Sequence, residues 1–215
     1  MPYSSNATFL VNLRDETSDR SGRAIYKPLR GERPLWDFPS GLYRREVAAR
    51  VLSDAMGLHV VPPTIVRDGP LGEGSLQWFI DARFEEHYFT LFEQREDLHD
   101  QFRNIAAFDI VANNTDRKSG HCLIDENDRV WAIDNGLCFS VDFKLRTVIW
   151  EFGGEPLTEQ HRSALERIVA GVPPRVAALL DSDENEAMVD RARELIMVGE
   201  LPIDHTGRRY PWPLV

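Results

Sequence analysis

The residues in this sequence best suited to chemistry are one lysine and three carboxylates: Lys27, Glu46, Asp116 and Asp134. Lys27 stands in Ile25-Tyr26-Lys27-Pro28. On a strand it shares a face with Ile25, because side chains alternate. If Ile25 points inward, the ammonium enters a cleft and needs an anionic partner. Phosphate oxygens could serve, with an acid to orient the lysine. Glu46, between Leu42 and the apolar run from Val47, is a candidate for that acid. Asp116 sits in a polar loop, where a carboxylate can accept a proton from an attacking hydroxyl. Asp134 ends the run Val130-Trp131-Ala132-Ile133 and precedes Asn135-Gly136. A carboxylate at a strand end, with glycine letting the chain turn away, suits Mg²⁺ or Mn²⁺. Such hard cations take oxygen ligands and bridge nucleotide phosphates.

Each of these residues also has a plainer reading. Lys27 could be a solvated strand lysine, and Glu46 a surface acid paired with Arg50 one helical turn on. Asn114-Thr115-Asp116 could be an Asx turn and Asp134-Asn135-Gly136 a hairpin turn. The ordered set is harder to obtain by chance than any one member. Ser4, Ser5 and Asn6 precede a strand and could offer backbone N–H groups and hydroxyls to phosphate, or form a plain turn. His121 is open between metal ligand, phosphate contact and turn residue; a neutral imidazole favours borderline metals over Mg²⁺. The other five histidines show no paired metal spacing. Arg30, Arg33, Arg44, Arg45, Arg117 and Lys118 could rim a site for an acidic acceptor, or form ordinary charged surface.

These side chains need elements to hold them. ATFLVNLRD and GRAIYKPLR read as two strands joined by the turn DETSDRSG. LYRREVAARVLSDAMG carries apolar residues at 42, 47, 48, 51, 52, 55 and 56, a helical stripe that Gly57 closes. HVVPPTIVRDG and SLQWFIDARF read as two more strands. DLHDQFRNIAAFDIVANN is a helix, CLIDENDRVWAIDNG a hairpin turning at Glu126-Asn127-Asp128, and LTEQHRSALERIVAGV and NEAMVDRARELIMVGEL are amphipathic helices. Thr158 suits a helix start, and Pro173-Pro174 break the chain. Tyr210 and Trp212 of the tail are expected to pack back onto the body. The boundaries follow: a β-rich lobe over 1–82, a connector over 83–97 and a mainly helical lobe over 98–215.

Composition excludes several classes. There are 25 basic and 35 acidic residues among 215, a formal charge of −10, where a general nucleic-acid binder would be basic. No apolar run approaches the ~18 residues of a membrane span. The start lacks the pattern of a signal peptide. Cys122 and Cys138 form neither a disulfide framework nor a zinc pattern, and read as small core residues. A cytoplasmic setting follows.

Residues 26–28 together with REVAARVLSDAMGLHVVPPTIV resemble the N-lobe of the secretory-pathway kinases of the Golgi casein kinase family. NNTDRKSGH and AIDNG resemble their catalytic loop and metal motif. HipA-type toxin kinases and phosphoinositide 3- and 4-kinases have the same order. KPLRGERPLWDFP resembles closely a small actinobacterial family of phosphoinositide-kinase-like proteins. The resemblance spans roughly residues 4 to 140. It implies an α+β, two-lobed protein-kinase-like fold, compact and atypical. It implies ATP and Mg²⁺ or Mn²⁺ as cofactors. Lys27 would hold the α- and β-phosphates, Glu46 would orient it or reach the metal, and Asp116 would be the catalytic base or the acid that orients the substrate. Asp134 would bind the metal. The adenine would lie against Phe79, Ile80, Asp81 and Ala82. The sequence departs from the relatives twice: Lys118 stands where they have histidine, and His121 where they have the metal-binding asparagine. Asn113 or Asn114 could supply the missing amide oxygen.

The leading expectation is phosphoryl transfer from ATP to a hydroxyl acceptor: a Ser/Thr side chain, a sugar, an inositol or another small alcohol. A nucleotide-binding pseudokinase acting through a partner, motivated by His121, and an AMP transferase are the alternatives.

Overall fold

The computed structural model describes residues 6–215, so Ser4 and Ser5 lie outside the described residues. The chain begins with strands β1 (Phe9–Arg14) and β2 (Ser21–Pro28). The Asp15 carboxylate forms their turn, accepting from the Thr17 N–H and hydroxyl and from the Ser18 hydroxyl. Helix α1 (Leu42–Ala55) follows. Glu32 in the preceding loop caps it, its two oxygens accepting from the N–H groups of Gly41 and Tyr43. A carboxylate there also opposes the positive end of the helix dipole. Strands β3 (Thr64–Gly69) and β4 (Gly72–Trp78) complete an antiparallel sheet of order β1-β2-β4-β3.

The register puts Lys27 opposite Ser75 and Ile25 opposite both Gln77 and Leu10. Lys27, Ile25 and Arg23 therefore share one face of the sheet. Ala7 donates its N–H to the Gly31 carbonyl at 2.9 Å. The two segments come so close that a Cβ on Gly31 would lie 2.4 Å from the Ala7 methyl.

The second half is mainly helical: α2 (Tyr88–Gln94), α3 (His99–Ala112), α4 (Glu159–Ala170), α5 (Pro174–Ala177) and α6 (Ser182–Val198). Between α3 and α4 lies the two-stranded hairpin β5 (Cys122–Ile124) and β6 (Val130–Ala132). Phe102, Ile105 and Phe108 of α3 pack into one cluster with Leu165 and Ile168 of α4, Leu195 of α6 and Leu52 of α1. Each such side chain contributes about 1.5–3 kcal/mol on full burial. One shared core thus fixes α1, which carries Glu46, against α3, which leads into the Asp116 loop. Thr158 caps α4 and Asp181 caps α6, each accepting an N–H three residues on. The architecture is α+β, an antiparallel sheet with one helix followed by helices.

Several local expectations need correction. β3 starts at Thr64, not near His59, because Pro62-Pro63 interrupt the run. β4 starts at Gly72 and ends at Trp78, so Phe79 onward is not strand. Within the stretch read as a connector, α2 buries Tyr88 and Leu91. The tail is held by its backbone and by Leu214, which packs against the core; of its aromatics Tyr210 is partly covered and Trp212 does not pack back. Trp212 is 87% exposed, while the Leu214 carbonyl accepts from Ser119 N–H at 2.8 Å and the Arg209 carbonyl from Thr147 N–H at 3.1 Å. Among the described residues no helix is long and apolar enough to cross a membrane.

Candidate active site

Helix α3 stops at Asn113, which adopts a left-handed conformation with φ +51°. Its side-chain amide donates to the carbonyls of Ser140 and Asp142 and turns the chain into the loop 113–121. Arg117 anchors this loop from inside the protein. Its guanidinium is fully buried and makes a two-pronged pair with Asp109 of α3, both contacts 2.9 Å. It also donates to Asn135 Oδ1 and to the Ile133 carbonyl, each at 2.6 Å. One arginine thereby ties α3, the loop and the turn after β6 together. A buried charge pair of this kind survives only when every donor finds an acceptor.

Over that anchor, Asp116 is half-buried and faces Lys118, with Nζ 3.2 Å from Oδ2. Burial pushes the Asp116 carboxyl up from its ordinary range, and the Lys118 ammonium pulls the other way. Asp134 follows β6 in a left-handed conformation, φ +58°, which is uncommon for a residue other than glycine. Its carboxylate is half-exposed and lies 2.8 Å from Lys27 Nζ. Lys27 also binds Glu46 Oε1, and Glu46 Oε2 accepts the Asn135 N–H at 3.0 Å. Burial works against the Lys27 charge, but the Asp134 and Glu46 carboxylates outweigh it and hold the ammonium protonated. Lys27 in turn holds the Asp134 carboxyl well below the usual range.

His121 closes the ring. Its Nδ1 lies 2.9 Å from the Asp116 carbonyl oxygen and 3.4 Å from the Lys118 backbone nitrogen. Burial keeps the imidazole neutral, with its pKa lowered to about 4. Its Nε2 lies 3.4 Å from Asp134 Oδ2. Among the described residues no three His, Cys, Asp or Glu side chains gather into a complete metal site. His121 and Asp134 therefore suit an ion whose other positions are filled by water and phosphate oxygens, as hard cations in nucleotide sites commonly are.

The structure brings together Lys27, Glu46, Asp116, His121 and Asp134. It does not bring Asn114 to the cleft. Asn114 is fully buried; its Oδ1 accepts the Asp116 N–H at 2.9 Å and its amide donates to Asp109 at 3.1 Å. The side chain is closed off from the cleft, and the expectation of a metal ligand is corrected on that ground. Asn6 Oδ1 accepts the Arg33 N–H at 2.8 Å, so its side chain braces the loop after β2. Arg117 and Arg45, both read as surface rim, are buried instead. Glu46 does not pair with Arg50, which binds Asp54 at 2.7 Å.

Phe79, Ile80 and Asp81 line a cavity of about 850 Å³ together with Arg23, Pro63 and Trp131. Arg23 spans it at one edge, pairing with Asp81 at 3.0 Å and stacking 4.4 Å over the Phe79 ring. Ala82 is not part of the lining; it bridges Asp125 of the hairpin. The cavity does not include Lys27, Asp116 or Asp134.

Sequence reasoning missed Asp109 and Asn135. Asp109 left one signal: an acid inside the apolar stripe Ile105, Ala106, Phe108, Ile110, Val111. Such an acid must find a buried cation.

A lysine-bearing antiparallel sheet, a helix supplying its glutamate, and two acidic loops beneath define a kinase-like α+β fold. A family model for phosphatidylinositol 3- and 4-kinase matches residues 42–165. The chain belongs to that kinase family, whose members use ATP. The matched span takes in Glu46, Asp116, His121 and Asp134 and stops short of Lys27. The chain is 33% identical over 246 residues to Protein Rv2133c of Mycobacterium tuberculosis, covering 97% of this chain and 88% of the relative. The solved structure of a Helicobacter pylori proinflammatory kinase, CtkA, matches with a TM-score of 0.49 at 11% identity, over 92% of this chain and 90% of that one.

Proposed function

We propose that the protein transfers the γ-phosphate of ATP to a hydroxyl acceptor, a protein Ser/Thr or a small alcohol such as an inositol or sugar, with Mg²⁺ or Mn²⁺. One observation carries this reading: Lys27 Nζ contacts Glu46 and Asp134 at once. That contact joins the sheet, α1 and the turn after β6 at one point, where phosphates and a cation would meet.

In this reading residues 1–82 cover the nucleotide, 83–97 connect, and 98–215 carry the acceptor side. Phe79, Ile80 and Asp81, at the end of that first part and in the lining of the cavity, border the adenine. Lys27 holds phosphate oxygens, and Glu46 keeps its ammonium aimed. Asp134 and His121 hold the divalent cation, which when bound neutralises charge on the transferring phosphoryl group. Asp116 orients the acceptor hydroxyl and takes its proton as the new oxygen–phosphorus bond forms and the bond to ADP breaks. Its raised carboxyl pKa suits that task, and Lys118 is placed to steady the same acid. A cytoplasmic setting belongs to the proposal, and the net acidic charge argues against nucleic acid as a partner.

Incubation with ATP, Mn²⁺ and candidate acceptors, followed by mass spectrometry, tests it. Phosphate on an acceptor, lost in Asp116→Asn, is the expected result; turnover unchanged in that variant overturns the role of Asp116. A second reading, a pseudokinase that binds nucleotide and works through a partner, is favoured by His121 standing where the resemblance places asparagine. Metal-dependent ATP binding with no transfer to any acceptor, including water, would decide for it.

A further inference from the structure

The turn after β6 is held in a costly shape. Asp134 and Phe139, at its two ends, both have left-handed backbones, with φ +58° and +67°. For residues other than glycine each costs of order 1–3 kcal/mol, and persists only where the surroundings enforce it. Besides Arg117 Nη2 on Asn135 Oδ1 and the Thr115 hydroxyl on the Leu137 carbonyl, four contacts do so. Leu137 O accepts from Thr115 N–H at 3.0 Å, and Phe139 N–H donates to Ala112 O at 2.6 Å. The other two come from adjacent residues of α1. Glu46 accepts the Asn135 N–H, and Arg45 Nε donates to the Cys138 carbonyl at 3.1 Å.

Arg45 has no role in the phosphoryl transfer described above. It is 4% exposed and its Nη2 binds Glu184 in α6, itself 5% exposed. The other Glu184 oxygen accepts the Asp181 N–H at 3.1 Å, which fixes that carboxylate at the start of α6. The guanidinium fork thus reaches two places at once, a fixed acid on one side and the far end of the strained turn on the other. Lysine, a point charge on a flexible stem, cannot do both.

We propose that Arg45, braced by Glu184, is a positioning residue that sets Asp134 for cation and nucleotide. Glu46 secures the near end of the turn and Arg45 the far end. Without the far contact the left-handed residues relax and the Asp134 carboxylate leaves Lys27 and His121. This rests on the phosphotransfer reading for what Asp134 binds, but not for the clamp itself.

The test uses Arg45→Lys, with Glu184→Gln as a second variant, whose single amide oxygen can accept from Arg45 or from the Asp181 N–H but not from both. Two measurements are made: Mn²⁺ affinity in the presence of ATP, and amide hydrogen exchange along residues 134–139. Arg45→Lys should weaken Mn²⁺ binding about 10–100-fold, the range typical of lost outer-shell partners. It should also speed exchange at Asn135 and Phe139, with the amides of α4 unchanged. Glu184→Gln should move both in the same direction by less. Wild-type Mn²⁺ affinity and wild-type exchange in the folded Arg45→Lys protein overturn the proposal. If that variant does not fold, Glu184→Gln with unchanged exchange at 134–139 does so instead. Should wild-type protein bind no Mn²⁺ with ATP, the phosphotransfer reading falls, and the exchange rates alone decide the clamp.

Discussion

Lys27 Nζ lies 2.8 Å from Asp134 Oδ1, although the two residues are 107 positions apart. The same nitrogen contacts Glu46, whose side chain is almost wholly buried. Replacing Lys27 by Met leaves two carboxylates facing each other without their cation. Lys27→Met should lose the thermal stabilisation that ATP with Mn²⁺ gives the wild type, and should unfold at a lower temperature without ligand. A full ligand-induced shift in this variant, read by differential scanning fluorimetry, would remove Lys27 from the nucleotide site.

Asp116 is expected to separate binding from turnover. Asp116→Asn keeps the side-chain shape and the backbone N–H bond to Asn114 but removes the base. Turnover should fall about 10²–10⁴-fold while Kd for ATP with Mn²⁺ stays near the wild-type value. Equilibrium titration beside initial rates measures both.

His121→Asn restores the residue that the resemblance places here. An amide oxygen is harder than an imidazole nitrogen, so the variant should favour Mg²⁺ over Mn²⁺ more than the wild type does. The ratio of kcat/KM with the two metals should rise several-fold toward Mg²⁺. An unchanged ratio would mean that His121 does not touch the ion.

Arg117→Met removes one partner of the fully buried pair with Asp109. Breaking such a pair costs about 3–5 kcal/mol, because the remaining charge has no counterion. For a chain of this size each kcal/mol lowers Tm by roughly 2–4 °C. The double variant Asp109→Leu with Arg117→Met should recover part of the loss, since it leaves no lone buried charge. Chemical denaturation of the three proteins checks both statements.

His161 gives a pH dependence away from the site. It is 2% exposed, its Nε2 meets Asn104 Oδ1 at 3.0 Å, and its Nδ1 faces the Thr158 N–H at 3.4 Å. Burial lowers its pKa from 6.5. The unfolded chain therefore binds a proton below about pH 6.5 that the folded chain refuses. The stability from neutral His161 is present above that pH and is lost as pH falls toward the folded pKa. His161→Gln should be less sensitive between pH 7 and 5 than the wild type in urea melts.

The periodic elements were legible in the sequence. The stripe of α1, the long α3 and the Thr158 cap needed only spacing and side-chain type. Helix α2 was hidden because Tyr88-Phe89-Thr90-Leu91-Phe92 is short and aromatic, a pattern shared by strands. At the site, Lys27, Glu46, Asp116, His121 and Asp134 were named from residue types in order, and the structure places them together. Asn114 was misplaced because its oxygen turns onto the Asp116 N–H two residues on, and Arg45 and Arg117 for another reason. Whether a polar side chain points to solvent or into the core depends on partners far away, such as Glu184 for Arg45 and Asp109 for Arg117. Local pattern gives no trace of Glu184, and of Asp109 only that an acid stands inside an apolar stripe.

The way the Asp116 loop is fastened has a consequence for engineering. Asn113, Asn114 and Arg117 bind it from beneath, and the Arg117 and Arg146 backbones bond across it. Lys118 spends its side chain only on Asp116, at the cleft. Support and recognition are thus divided between different residues of one short loop. Side chains at position 118 can be varied in a library without touching the groups that keep the loop folded, each change being read against the loss of the Lys118 contact to Asp116.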